Sequence, residues 1–130
     1  MCFYIHPDYP EAITAIDNIP CYKVFIKTSR GNYYSSYRKE KYFNKESNSP
    51  VIKKVNDFKK NKQTITKGIH SFTTLKAAFE SIETLVFFAP PNQKFSINKA
   101  MIPKGTQYFY NPQYQEFVSL KLKVWKVVKK

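Results

Sequence analysis

An imidazole, a hydroxyl and two threonines stand together in the stretch KGIHSFTT, residues 67–74, at what reads as the first turn of the clearest helix in the chain. The first turn of a helix leaves backbone N–H groups without intrahelical partners and carries partial positive charge, so it takes a side-chain cap or an anion. Ser71, Thr73 or Thr74 can supply the cap, and none is followed three residues later by the Glu or Gln of a capping box. One reading is a capped helix start with His70 as a polar neighbour. The other is that His70 and Ser71, with Lys67 nearby, hold a phosphate or carboxylate. The second histidine, His6 beside Pro7, has no partner visible in the sequence. Glu116, in YQEFVS, is an isolated acid in a basic, aromatic C-terminal third. Such a group pairs with a lysine, or acts as a general base or ribose ligand in a tyrosine-lined cleft. Tyr22, Lys23, His70, Ser71, Tyr108 and Glu116 are the candidate anion or nucleotide pocket.

Stronger chemical signatures are missing. Gly31, Gly68 and Gly105 are too few and too scattered for a phosphate-cradling loop, and there is no Cys-x-x-Cys, no His-Glu-x-x-His and no paired-carboxylate stretch. No metal, no cofactor and no catalytic residue are expected on these grounds. Cys2 and Cys21 match no metal spacing and are too few for a disulfide scaffold; small buried thiols are the commoner outcome. The start, MCFYIHPDYPEA, has neither the basic nor the apolar segment of a signal peptide, and no apolar run approaches the roughly 20 residues of a membrane span. A cytoplasmic protein without membrane contact is expected.

Charge is the loudest compositional feature: 22 Lys and Arg against 9 Asp and Glu, net +13. It is unevenly placed. The first twenty residues carry Asp8, Glu11 and Asp17 and no basic residue, whereas Lys53, Lys54, Lys59, Lys60 and Lys62 crowd one stretch and Lys121 and Lys123 lead a second. A field of this kind attracts nucleic acid or an acidic protein surface by long-range steering and counterion release. The same lysines, with Asn, Ile and Tyr, are also what an AT-rich genome writes onto solvated surfaces. The runs Tyr33, Tyr34, Tyr37 and Tyr108, Phe109, Tyr110, with lysines beside them, suit base stacking or a core of alternating aromatics.

These groups need elements to position them. At 130 residues the chain makes one domain, and its 42% hydrophobic and 17% aromatic content favours a β-rich core over a disordered chain. PEAITAID permits a brief helix from Pro10. CYKVFIKTSRGNYYSSY alternates and turns at Gly31-Asn32, a hairpin pattern. Residues 38–66 lose periodicity and predict a long basic loop or flap, with one apolar pair at Val51 and Ile52 and room for a short strand. Leu75, Ala78, Phe79, Ile82 and Leu85 form one apolar stripe, a helix over about 73–85. VFFAPP predicts a strand, KAMIPKGTQYFY strand, turn and strand, Asn111-Pro112 a further turn, and Val118 to Trp125 one half-buried strand with a basic outer face. The fold class expected is α+β: a mostly antiparallel twisted sheet or partial barrel with one principal helix.

The segments CYKVF, NYYSSYR, KGIHSF, IPKGTQYFYN and EFVSLKLKV resemble a family of small uncharacterised bacteriophage and prophage proteins, met especially in gut bacteria, over most of the chain from Cys21 to Lys126. That resemblance implies a phage or mobile-element setting in a bacterial host cell and no particular activity. A fainter resemblance is to ADP-ribosyltransferases, whose order is a strand with Arg or His, a Ser-Thr-Ser strand end leading to a helix, and a Glu. It places Lys23, Ser71 and Glu116 at the corresponding positions, with Lys where that family has Arg. Three functions follow as expectations. The first is a small basic accessory protein that binds nucleic acid or an acidic host protein without catalysis. The second is a nucleotide-binding pocket, sequestering or degenerate in enzymatic terms. The third is a structural virion component.

Overall fold

The computed structural model describes residues 3–27, 32–35, 41–44, 51–61, 63–88 and 94–129, with backbone alone at 27, 32–35, 41–44, 51, 52, 61, 85–88 and 126–129. Among these residues the order is β1 (Phe3–Tyr4), β2 (Ile13–Thr14), β3 (Ile19–Lys27), β4 (Asn32–Ser35), β5 (Lys41–Asn44), β6 (Val51–Lys54), β7 (Lys59–Asn61), β8 (Thr64–Lys67) and β9 (Ile69–Phe72). Helix α1 (Leu75–Phe88) follows, then β10 (Lys94–Ile102), β11 (Gln107–Asn111), β12 (Glu116–Ser119) and β13 (Lys121–Lys129). All pairings are antiparallel. The main sheet runs β2-β11-β12-β9-β3-β10-β13-β6, with β4 and β5 added beside β3, and a small sheet runs β1-β8-β7. The class is α+β, as the sequence predicts, and the main sheet is not a closed barrel.

The middle of the main sheet is covered on both faces. On one, Cys21, Phe25, Ile69, Ala100, Ile102, Phe117, Leu122 and Val124 form a shared core. On the other, Val24, Phe72 and Ile97 receive Ala77 and Ala78 of α1, with Leu75, Phe79 and Ile82 packed around them. Beside the helix on that second face, Phe109 and Val118 meet Phe3 and Ile65 of the small sheet. Burying an apolar stripe of this kind stabilises by roughly 25 cal/mol per Å² of apolar surface, which makes docking, more than propensity, the cause of the helix.

Several local expectations are revised. Val86, Phe87 and Phe88 belong to α1 and form no strand, because nothing breaks the helix before Ala89, the residue ahead of Pro90, where helical backbone is disfavoured. Residues 10–17 form no helix; the β-branched pair Ile13 and Thr14 instead pairs with Tyr108 and Gln107. Described residues within 38–66, expected as a loop with room for one short strand, form β5, β6, β7 and most of β8. Of these, β5, β6 and β7 lie at sheet edges, where polar residues are tolerated and apolar periodicity fades, while β8 is the middle strand of the small sheet and buries Ile65. The single strand expected from Val118 to Trp125 breaks at Leu120, whose N–H donates to the Gln107 carbonyl at 3.1 Å while Ser119 Oγ donates to the Lys121 carbonyl at 3.0 Å. There the chain leaves β11 and β9 and joins β10 and β6.

Two glycines are placed by backbone need. Gly105 has φ +87° at the third position of a turn closed by Thr106 N–H to the Pro103 carbonyl, the geometry a type II turn reserves for glycine. Gly68, between β8 and β9, has no room for a side chain: a Cβ there would run into Cγ2 of buried Val118. That close approach lets β9 enter the centre of the main sheet directly from the small one.

Candidate functional site

The stretch KGIHSFTT is not the first turn of a helix. Ile69–Phe72 is a buried strand of the main sheet, and the helix starts after Thr74, whose Oγ1 accepts from Ala77 N–H at 3.1 Å and donates to Gln115 Oε1 at 3.0 Å. Thr74 is therefore the cap, and the helix start is tied to the turn between β11 and β12; the Thr73 N–H to Gln115 carbonyl bond at 2.8 Å tightens that tie. Gln115 adopts φ 51° in this turn, and Asn111 Oδ1 accepts from the Gln113 and Tyr114 N–H groups, so Asn111-Pro112 makes the predicted turn.

His70 and Glu116 do converge. Strands β9 and β12 pair with Phe72 opposite Glu116 and His70 opposite Val118, which brings His70 Nδ1 to 2.9 Å from Glu116 Oε1. Burial holds the imidazole below its ordinary value of 6.5, against the opposing pull of the Glu116 hydrogen bond and charge. A neutral ring thus donates from Nδ1 to the carboxylate. Lys23 is 1% exposed, and its Nζ donates to the His70 carbonyl at 2.7 Å. Ser71 Oγ is buried and makes no hydrogen bond of good geometry, its polar neighbour being the Cys21 thiol, a weak partner. Neighbouring Cys21 is a free buried thiol that desolvation pushes up to about 12, so it is no nucleophile at neutral pH.

The sheet divides the six candidate pocket residues. Tyr22 lies opposite Phe72, and with His70 and Glu116 it faces the helix side. Lys23 and Ser71, one residue along their strands from Tyr22 and Phe72, face the other way, as does Tyr108, which stands edge-on to Phe117 at 5.5 Å. Lys23, Ser71 and Glu116, the trio named by the ADP-ribosyltransferase resemblance, therefore do not share a face. Burial pushes the Tyr108 phenol up, with Tyr9 adding to the effect. What Glu116 does border is a cleft of about 480 Å³ between α1 and the β11–β12 turn, with Lys76 and Glu80 on one wall and Gln113 and Tyr114 on the other. The polar face of α1 carried no motif, so this cleft was not legible from the sequence.

The lysines regroup. Lys54 on β6 is directly opposite Lys121 on β13 and shares a face with Lys121 and Lys123, whereas Lys53 lies opposite buried Leu122 and is on the other face. Lys54, Lys121 and Lys104, the last not singled out by sequence, border a shallow cleft of about 450 Å³ with no carboxylate among the described residues that line it. Lys59 and Lys60 sit in the small sheet instead, where the Lys60 ammonium lies 5.1 Å from the centre of the Phe109 ring. Lys62 and Tyr37 fall outside the described residues, as do the side chains of Tyr33 and Tyr34. Among the described residues no three His, Cys, Asp or Glu gather as a metal site, and no helix is long and apolar enough to cross a membrane.

No protein-family model, curated protein or solved structure matches the chain.

Proposed function

We propose that this is a small basic binding protein that holds nucleic acid on the face formed by β6 and β13. The observation that carries this reading is Lys54 directly opposite Lys121, with Lys104 on the same cleft and no carboxylate among its described lining residues. Like charges facing each other across two strands cost stability, and a phosphate backbone lying over them removes that cost. Net charge of +13 extends the attraction over the rest of the molecule. A bacterial cytoplasm and a phage or prophage setting fit such a protein, and the same face would serve a virion component against packaged DNA.

The test is titration of labelled DNA and RNA at salt from about 50 to 200 mM, where affinity should fall steeply. The Lys54→Gln/Lys121→Gln double variant, its fold checked by circular dichroism, should bind more weakly, with a salt slope smaller by about one unit per lost contact. Salt-insensitive or undetectable binding by both proteins, with capture of an acidic polypeptide in its place, would transfer the reading to an acidic protein partner.

A further inference from the structure

Tryptophan is rarely left at a surface without a use, because its ring buries more apolar area than almost any other side chain. The single tryptophan of this chain, Trp125, is 37% exposed. It borders a cleft of about 310 Å³ whose other walls include Pro20, Tyr22, Lys99 and Met101. The register explains the grouping. Tyr22 lies opposite Lys99 and Met101 lies opposite Lys123, so these four side chains share one face of β3, β10 and β13. Trp125 follows Lys123 by two residues, and the Lys123 ammonium stands 5.1 Å from the ring centre. Among the described residues no carboxylate lines the cleft. The backbone that carries the ring is also held in place. Beneath it, buried Asn98 donates from Nδ2 to the Trp125 carbonyl at 2.9 Å and accepts from Ser96 Oγ at 3.3 Å, which pins the irregular stretch where β10 and β13 shift register.

We infer that this cleft is a base-stacking site for single-stranded nucleic acid, with Trp125 as the platform and Lys99 and Lys123 as phosphate partners. The inference rests on the basic-face reading and narrows it. Lys123, Lys121 and Lys54 continue the same face onto β6, so a strand whose base sits on Trp125 meets cations on either side of the ring. Base–aromatic stacking beside a basic track is the sequence-tolerant way of holding single strands. Duplex bases are stacked on each other and cannot reach a ring seated in a cleft, so the platform selects against double strands.

Trp125 reports on itself, since no other tryptophan contributes to the fluorescence. Titration with a single-stranded oligothymidylate at low salt should quench that emission, and a duplex of equal length should leave it nearly unchanged. By anisotropy of the labelled oligonucleotide, Trp125→Ala should bind about 5- to 150-fold more weakly, the range expected for one lost stack. Trp125→Phe should recover part of the loss, and because it keeps a ring in place it serves where Trp125→Ala fails to fold. Salt-dependent binding without quenching, equal for both strand types and unchanged in Trp125→Phe and Trp125→Ala, would overturn the stacking site and leave the basic-face reading intact. Absence of binding to any nucleic acid would remove both, as would quenching by polyglutamate alone.

Discussion

His70 shows how a residue's chemistry follows its surroundings. Free in solution its imidazole takes up a proton around pH 6.5, but burial in β9 holds that value down, and the Glu116 carboxylate 2.9 Å away only partly offsets the effect. The sign of the consequence follows from proton counting. Above pH 6.5 the ring is neutral in the folded and unfolded chain alike, so it adds no pH dependence. Below that, the unfolded chain binds a proton that the folded one refuses, and stability drops until the lowered folded value is reached. Thermal melting followed from pH 7.5 to 5.5 should show a falling Tm in the wild type and a flatter profile in His70→Gln. Equal slopes would mean that other groups carry the acid sensitivity. Lys23 makes the same point from the other side: in sequence it alternates with Tyr22 and Val24 as though facing solvent, yet both sheet faces are covered there, and its ammonium ends on a backbone carbonyl.

Elements, too, were partly legible. The apolar stripe of α1, the pairing of β3 with β4, the Pro103–Thr106 turn and the Asn111-Pro112 turn all rest on local chemistry, and the sequence predicted each. What it misjudged was the join between β9 and α1, because a buried strand and the first turn of a helix both offer Ser and Thr beside apolar residues. The structure separates their roles, and two substitutions measure the separation. Thr74→Ala removes the cap and should cost about 1 kcal/mol. Ser71→Ala removes a buried hydroxyl whose side-chain polar neighbour is the weakly bonding Cys21 thiol, so it should cost clearly less than Thr74→Ala. Denaturant melts of the two variants in parallel decide the matter: a larger loss for Ser71→Ala would return the capping role to the strand.

Across the whole molecule, charge and stability are set against each other. Lys54 facing Lys121 is an unfavourable cross-strand pair, so Lys54→Glu should turn repulsion into attraction and add about 0.2 to 1 kcal/mol, with a rise in Tm that shrinks as salt is added. The same change should weaken nucleic-acid binding more than Lys54→Gln does. A variant that gains both stability and affinity would contradict the proposed face. Composition and local pattern by themselves determined the α+β class, the single principal helix, most of its apolar stripe and the excess of positive charge, because periodicity, turn chemistry and residue counts act over short stretches or none. Tertiary structure alone decided that Lys54 would face Lys121 while Lys53 took the other side of the strand, that Lys23 and Ser71 would face away from Glu116, and that Trp125 would border a cleft with Tyr22. Each of these depends on which strands become neighbours and which of two alternating faces is covered, and strand neighbours are chosen by burial across the whole sheet.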